Sequence, residues 1–134
     1  MDNSHQKRKV FLVTGSAGFI GFHVAKRLLE AGHAVHGIDL MTASYYDPLL
    51  KDARLNVLQK LPGYTHHRID LANTVVVNGL KDSIGNIDVI IHLAAYAALR
   101  DSVEDPDKFW DNNVIKAKRL FDYCGRNNIR LLYA

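Results

Sequence analysis

The sequence predicts an α/β fold in which a doubly wound parallel sheet carries helices on both faces. Along its 134 residues, short apolar runs alternate with segments whose apolar residues recur at helical spacing. Turn residues, chiefly glycine and proline, separate these segments. Strands that alternate with helices form right-handed βαβ units, so we expect five parallel strands in the order 3-2-1-4-5.

The predicted strands are short apolar runs bounded by turn signals. A continuous apolar run of this length is typical of a strand that is buried on both faces of a parallel sheet. The first run ends at Gly15, which opens a glycine-rich turn. The predicted strands are Val10–Thr14, Ala34–Asp39, Tyr64–Ile69, Val89–Leu93 and Ile129–Tyr133.

Two helices are predicted in the first half of the chain. The first runs from Phe19 to Ala31, and Gly32 is its stop signal. The second opens at Asp47-Pro48, an N-cap followed by a first-turn proline, and runs toward Leu61. The apolar residues at helical spacing in the first helix are Ile20, Val24, Leu28 and Ala31.

Two further helices are predicted in the second half. Asn73 caps one that carries Val76, Val77, Leu80 and Ile84. The other opens at Asp105-Pro106 and extends to Gly125. Its predicted face consists of Phe109, Asn113, Ala117, Leu120 and Cys124.

The length of 134 residues and the hydrophobic content of 48% are those of one ordinary domain that can bury a core. Residues 1–9 are predicted to form a basic tail containing Lys7, Arg8 and Lys9, and residues 10–134 to form the domain. The formal net charge is only +3, and a short charge run of this kind is typical of a solvated tail. We therefore expect no nucleic-acid partner.

The cysteine and histidine residues argue against a disulfide-bonded protein and against a metal-binding protein. Cys124 is the only cysteine, so no internal disulfide can form. The pair His66-His67 has no carboxylate or thiol at ligand spacing, and we expect no metal site. No apolar run approaches the ~18 residues of a membrane span, and no signal peptide is visible. A cytoplasmic protein without a membrane partner is expected.

A glycine-rich turn lies between the first predicted strand and the first predicted helix. Gly15 permits a tight turn, Gly18 lets the backbone approach a pyrophosphate, and Gly21 allows the helix to pack closely on the strand. The free N–H groups at the helix N-terminus favour phosphate charge. Three glycines alone are a weak signal, but this position predicts a dinucleotide site in a Rossmann fold.

Two aspartates end neighbouring strands. Asp39 is placed to accept hydrogen bonds from the adenosine ribose and to repel a 2′-phosphate, which favours NAD over NADP. Asp70 is placed to reach the adenine edge. The alternative for Asp39 is a cap of the following loop, and for Asp70 a cap of the next helix.

Several segments together resemble one enzyme family. These are residues 13–21 (VTGSAGFIG), 37–40 (GIDL), 45–47 (YYD), 69–71 (IDL) and 92–95 (HLAA), with Arg100, Ser102, Pro106 and Asn113. They are similar to motifs of the extended short-chain dehydrogenase/reductase family, in particular its NAD-dependent nucleotide-sugar epimerases and dehydratases, and the resemblance is strongest to the UDP-glucuronate 4-epimerases. It covers the chain from Lys9 to Ala134.

The motifs and the resemblance imply NAD as cofactor and a specific set of contacts. The implied cofactor-binding residues are, in the glycine-rich turn, Gly15, Ala17, Gly18, Phe19, Ile20 and Gly21; at the adenosine end, Asp39, Leu40, Asp70 and Leu71; and on the nicotinamide side, Leu93, Ala94, Ala95 and Asn112. Arg100 and Ser102 are implied on the substrate side. Ala97 stands where UDP-glucose epimerases commonly carry a lysine, which favours the glucuronate branch.

The catalytic residues of that family are missing from this sequence. The family's chemistry needs a Ser or Thr and a Tyr-x-x-x-Lys, whose tyrosinate takes the proton of a sugar hydroxyl. No tyrosine here is followed by a lysine at that offset. We therefore expect a truncated NAD-binding portion, inactive alone, of an epimerase whose full-length form takes a UDP-sugar. A non-catalytic NAD-sensing module is the alternative, although Arg100 and Ser102 favour the epimerase.

The predicted fifth strand forms an unpaired edge after which the sequence stops. Leu131, Leu132 and Tyr133 would lie on this edge, with no charge beyond Arg130. Exposed apolar edges are templates for pairing with another chain. We expect self-association through the last strand or its neighbouring helix, or else fraying of the residues after Asn128.

Overall fold

A computed structural model of the chain, which describes residues 7–42 and 47–134, contains a five-stranded parallel sheet in the order β3-β2-β1-β4-β5. The predicted fold class, strand number and strand order are confirmed. The strands are β1 Val10–Thr14, β2 Ala34–Ile38, β3 Tyr64–His67, β4 Val89–His92 and β5 Arg130–Tyr133. Tyr45 and Tyr46, which carry part of the family resemblance, lie outside the described residues.

The helices are α1 Phe19–Glu30, α2 Pro48–Gln59, α3 Thr74–Asn78, α4 Leu80–Ile84, α5 Leu99–Glu104, α6 Pro106–Trp110 and α7 Lys116–Asn127. A π-helical turn, Asp111–Ile115, joins α6 to α7. The predicted N-caps are confirmed, because the side chains of Asp47, Asn73 and Asp105 each accept a hydrogen bond from a first-turn amide.

Hydrophobic clusters cover both faces of the sheet, because successive strand residues point to opposite sides. One cluster joins Leu12 and Ile90 to α3, α4 and α7. The other joins Val13 and Ile91 to α1 and α2. Burial on both faces explains why these strands appear in the sequence as continuous apolar runs.

The predicted face of α1 is wrong by one residue. The buried positions are Gly21, Ala25 and Leu29, whereas Ile20 is 62% exposed. A Cβ at Gly21 would overlap the carbonyl oxygen of Gly15, so only glycine can face the turn here. The face of α1 that contains Gly21 is therefore the buried one, while Val24 and Leu28, from the predicted face, are only half-buried.

Two other helix predictions need correction. The helix predicted after Asn73 is two short helices, since Gly79 ends α3 and precedes α4. The long helix predicted from Asp105 is interrupted by the π-helical turn, which shifts the register. Ala117, Leu120 and Cys124 are buried as predicted, but Phe109 and Asn113 are not part of that buried set; α5 was not predicted.

The strand ends also differ from the predictions. Asp39, Ile69 and Leu93 lie beyond the last paired residues of their strands. All three line a cleft at that edge of the sheet instead.

No helix within the described ranges is both long and apolar enough to cross a membrane.

Four buried or half-buried histidines make stability depend on pH. The rings of His36 and His67 are joined by a hydrogen bond of 2.9 Å between Nδ1 and Nε2, and His92 Nδ1 lies 2.6 Å from Thr14 Oγ1. Burial lowers the pKa of His36, His66, His67 and His92 in the folded protein. As the pH falls, these histidines therefore become protonated in the unfolded chain before they do in the folded protein, and their protonation favours unfolding.

We accordingly expect the free energy of unfolding to be highest near pH 7.5 and to fall as the pH is lowered past about 6.5, the ordinary histidine pKa, and through the lower folded-state values. Urea denaturation between pH 7.5 and 5 measures this. The carboxyl groups with lowered pKa, such as Asp70, have ordinary values near 3.8 and contribute only below this window. The substitution His36→Gln should weaken the dependence of the free energy of unfolding on pH, because it removes one of these titrating groups. A stability independent of pH in this range would contradict the prediction.

Candidate functional site

A cleft of about 340 Å³ opens at the carboxyl ends of the strands. The strand β1 pairs with β2 on one side and β4 on the other, so the chain reverses its direction of winding at β1. Ligands of open α/β sheets bind at such a switch point. The cleft is lined by Gly15, Gly18, Ile38, Asp39, Leu40, Thr42, Lys51, Ile69, Asp70, Leu71, residues 93–98, Asn112 and Lys116.

The glycine-rich turn forms the centre of the cleft floor. Gly15 has a φ of +70°, a conformation that favours glycine, and its N–H donates to Ile38 O at 2.7 Å. Gly18 is the N-cap of α1 and has no side chain with which to cap it. The first turn of α1 carries no acidic residue, so its amides and positive dipole end are available for an anion.

Asp39 connects the glycine-rich turn, the loop after β2 and helix α2. One carboxylate oxygen, Oδ2, accepts from Ala17 N at 3.2 Å in the glycine-rich turn. The other, Oδ1, accepts from Met41 N at 2.9 Å and from Lys51 Nζ at 2.8 Å. The bond to Met41 is the loop cap that the sequence offered as the alternative role. Asp39 nevertheless lines the cleft, so capping does not exclude ligand binding.

Asp70 repeats this arrangement after β3 with more exposure to solvent. Its Oδ1 accepts from Ala72 N at 2.9 Å and lies 3.4 Å from Lys116 Nζ. The hydrogen bond from Ala72 N–H, with the charge of Lys116, holds the pKa of this carboxyl below its usual range. Asp70 is therefore ionised near neutral pH, and it too combines a cap with a place in the cleft wall.

Thr14 fixes the wall formed by the segment after β4. Its Oγ1 accepts from the backbone N–H groups of Leu93 and Ala94, both at 3.1 Å. With those lone pairs used, its hydroxyl proton points to His92 Nδ1, 2.6 Å away. The neutral imidazole then carries its own proton on Nε2.

The π-helical turn completes this wall. Asn113, in that turn, holds the backbone of Tyr96 at two points: its Oδ1 accepts from Tyr96 N at 2.8 Å, and its Nδ2 donates to Tyr96 O at 2.9 Å. Asn112 donates to Asn113 Oδ1 at 3.1 Å and lines the cleft. Single π-helical turns are frequent at functional sites because they redirect side chains.

Most of the predicted cofactor-binding residues are brought together in this cleft. Those that line it are Gly15, Gly18, Asp39, Leu40, Asp70, Leu71, Leu93, Ala94, Ala95 and Asn112. Their contact with a cofactor stays a prediction.

The remaining predicted residues do not line the cleft. Ala17 is buried in the turn and Gly21 within α1, while Phe19 and Ile20 are 66% and 62% exposed at the start of this helix. Ser102 donates to Leu99 O within α5, and Arg100 is exposed on the same helix. The substrate-side assignment of these last two residues therefore has no support from the shape of the cleft.

Sequence reasoning missed Lys51 and Lys116. Each ammonium group lies against one strand-end aspartate, Lys51 against Asp39 and Lys116 against Asp70, and both lysine side chains are 14% exposed. No motif marks either lysine, because each reaches the cleft from a helix that is distant in sequence. In the described part of the chain, no group of three or more His, Cys, Asp or Glu residues is placed to hold a metal ion.

The chain is similar to an epimerase family model, to an uncharacterized protein and to UDP-glucuronate 4-epimerases. The family model described as NAD dependent epimerase/dehydratase family matches residues 11–134. An uncharacterized 37.6 kDa protein of Escherichia coli O111:H- is 46% identical over 125 residues, which cover 92% of this chain and 36% of that protein. A probable UDP-glucuronate 4-epimerase of Rhizobium meliloti is 44% identical over 112 residues, which cover 84% of this chain and 32% of the relative.

Among solved structures, UDP-glucuronic acid 4-epimerase from Bacillus cereus in complex with UDP-glucuronic acid and NAD matches with a TM-score of 0.76 and 33% identity. The match covers 91% of this chain and 37% of the enzyme. The chain thus spans about a third of the length of these three relatives. The extent of the family match nevertheless confirms the resemblance inferred from the motifs, and the chain belongs to the NAD dependent epimerase/dehydratase family.

Proposed function

We propose that this chain binds NAD in the cleft and forms the cofactor-binding portion of a nucleotide-sugar epimerase of the UDP-glucuronate 4-epimerase type. One observation carries the proposal: the glycine-rich turn, Asp39 and the segment 93–95 converge on a single cleft at the switch point of the sheet. A solved relative with the same fold is a complex with NAD and UDP-glucuronic acid, which supports the cofactor and the substrate class.

The residues of the cleft match the parts of a dinucleotide. The amides at the start of α1 would hold the pyrophosphate, Asp39 the adenosine ribose, and Asp70 with Leu71 the adenine. The segment 93–95 and Asn112 would lie under the nicotinamide-side ribose. When bound, NAD supplies a hydride acceptor; this chain's own contribution is to bind and orient it.

We assign no catalytic residue in these 134 residues, because they contain no Tyr-x-x-x-Lys. We propose that epimerisation at C4 of a UDP-sugar requires further residues. The similarity to epimerases, rather than Arg100 and Ser102, favours this function over that of an NAD sensor. A cytoplasmic address stays a prediction from the sequence.

The test is a calorimetric titration of the full chain with NAD and with NADP. We expect NAD to bind more tightly, because the carboxylate of Asp39 opposes a 2′-phosphate. Asp39→Asn should narrow the preference by ~1–3 kcal/mol, the worth of a hydrogen bond to a charged group. Asp70→Asn, a matched change at the adenine end, should alter both affinities equally. Equal affinities of the unaltered protein for the two dinucleotides would refute this assignment of Asp39.

We also propose that the chain self-associates through β5. Within the described residues this strand pairs only with β4, and Leu132 and Tyr133 are more than half exposed. An exposed apolar strand edge favours pairing with a second copy. Light scattering over a range of concentrations should show a mass that increases with concentration. A strict monomer whose last strand is protected from hydrogen exchange would exclude this association.

A further inference from the structure

The adenosine-ribose subsite contains a lysine as well as an aspartate. Lys51 Nζ lies 2.8 Å from Asp39 Oδ1, and the two side chains are only 14% and 5% exposed. Both residues line the cleft. The carboxylate expected to repel a 2′-phosphate is therefore already paired with a cation, and the pair as a whole carries no net charge.

Asp39 also has little capacity left for a ribose. An ionised carboxylate offers about four acceptor positions. Three are used by Ala17 N, Met41 N and Lys51 Nζ. With respect to the described residues, one position on Oδ2 remains, whereas a ribose presents two adjacent hydroxyl groups. The second hydroxyl must meet another group or displace one of these partners.

Lys51 is the residue placed to contact the second hydroxyl group of the ribose. An ammonium group has three donors, and in the described residues Asp39 accepts one of them. The α2 helix holds Lys51 in its first turn, after the N-cap Asp47. A cation here can donate to a hydroxyl oxygen or, more strongly, to a phosphate oxygen.

We infer that Lys51 is a specificity-determining residue of this subsite, which offsets the repulsion between Asp39 and a 2′-phosphate and so allows NADP to bind more weakly than NAD rather than excluding it. The inference rests on the proposed dinucleotide function. It assigns the choice of cofactor to the Asp39–Lys51 pair, in which the two residues act in opposite directions.

The experiment compares NAD and NADP affinities of the full chain, measured by calorimetry, for the unaltered protein and for Lys51→Met. The variant retains the apolar stem and removes the charge. We expect NADP affinity to fall about tenfold more than NAD affinity, the lower range for a charge-assisted hydrogen bond. Lys51→Arg keeps the positive charge and should retain NADP binding. Thermal melting of each variant shows that the fold is intact.

Lys118→Met is the matched control, because Lys118 pairs with Asp122 at the same distance of 2.8 Å but on the exposed side of α7. Neither affinity should change in this variant. NAD binding with no detectable NADP binding, or an equal loss of both affinities in Lys51→Met, overturns the inference and leaves the proposed function intact. Binding of neither dinucleotide to the unaltered chain overturns both.

Discussion

Replacing Gly21 by alanine should destabilise the protein by about 3 kcal/mol or more, at the upper end of what overpacking costs. The added Cβ would overlap the carbonyl oxygen of Gly15 and come within 3.0 Å of Ser16 Cα. These are backbone atoms, so no side chain can move aside to make room. Either α1 separates from β1, or the glycine-rich turn changes shape, and urea denaturation measures the loss.

Gly125→Ala is the matched control for this substitution. Gly125 also lies within a helix, α7, but a Cβ there meets no atom of another described segment within 4 Å. Alanine should be neutral or stabilising by up to about 1 kcal/mol, because glycine loses more conformational entropy in a helix. If the two variants were equally stable, the close approach at Gly21 would not be a constraint on the fold.

Replacing Gly18 by valine should abolish NAD binding while the protein remains folded. Gly18 has a φ of −71°, which any residue adopts, and it lines the cleft. Among the described residues other than its chain neighbours, an added Cβ would meet Gly15 O at 3.1 Å, so the backbone must give slightly and stability should fall by about 1–2 kcal/mol. The branched side chain would then occupy the space of the pyrophosphate.

Calorimetry with NAD and thermal melting separate the two effects on the Gly18 variant. Gly18→Ala should lose affinity to an intermediate degree with a smaller change in stability. A folded Gly18→Val variant that binds NAD as well as the unaltered chain would remove the glycine-rich turn from the binding site, and with it the main support for the proposed function.

Local signals explain what could be predicted for the fold. Apolar runs buried on both faces of a sheet identify its strands without knowledge of their neighbours, and βαβ connections restrict the order in which they pair. The N-caps at Asp47, Asn73 and Asp105 are also local, since each side chain bonds to amides two or three residues later. These features were predicted and are confirmed.

Features that depend on two distant segments could not be predicted. Apolar residues surround much of α1, so periodicity allows more than one face; only the contact of Gly21 with Gly15 selects the buried one. The π-helical turn has no sequence signal that we recognised, yet it directs Asn113 to Tyr96. In both cases packing between segments decides among conformations that the local sequence permits.

The residues of the candidate site also fall into two groups, those with a local sequence signal and those that only folding brings together. The glycine-rich turn and the strand-end aspartates are recognisable in the linear sequence, because parallel strands bring their carboxyl ends to one edge of the sheet. The hydrogen bonds of the Asp39 oxygens with Met41 and Lys51 form only when the chain is folded. Lys51 reaches Asp39 from a separate helix, so the charge of the subsite is a property of the folded chain and not of the motif.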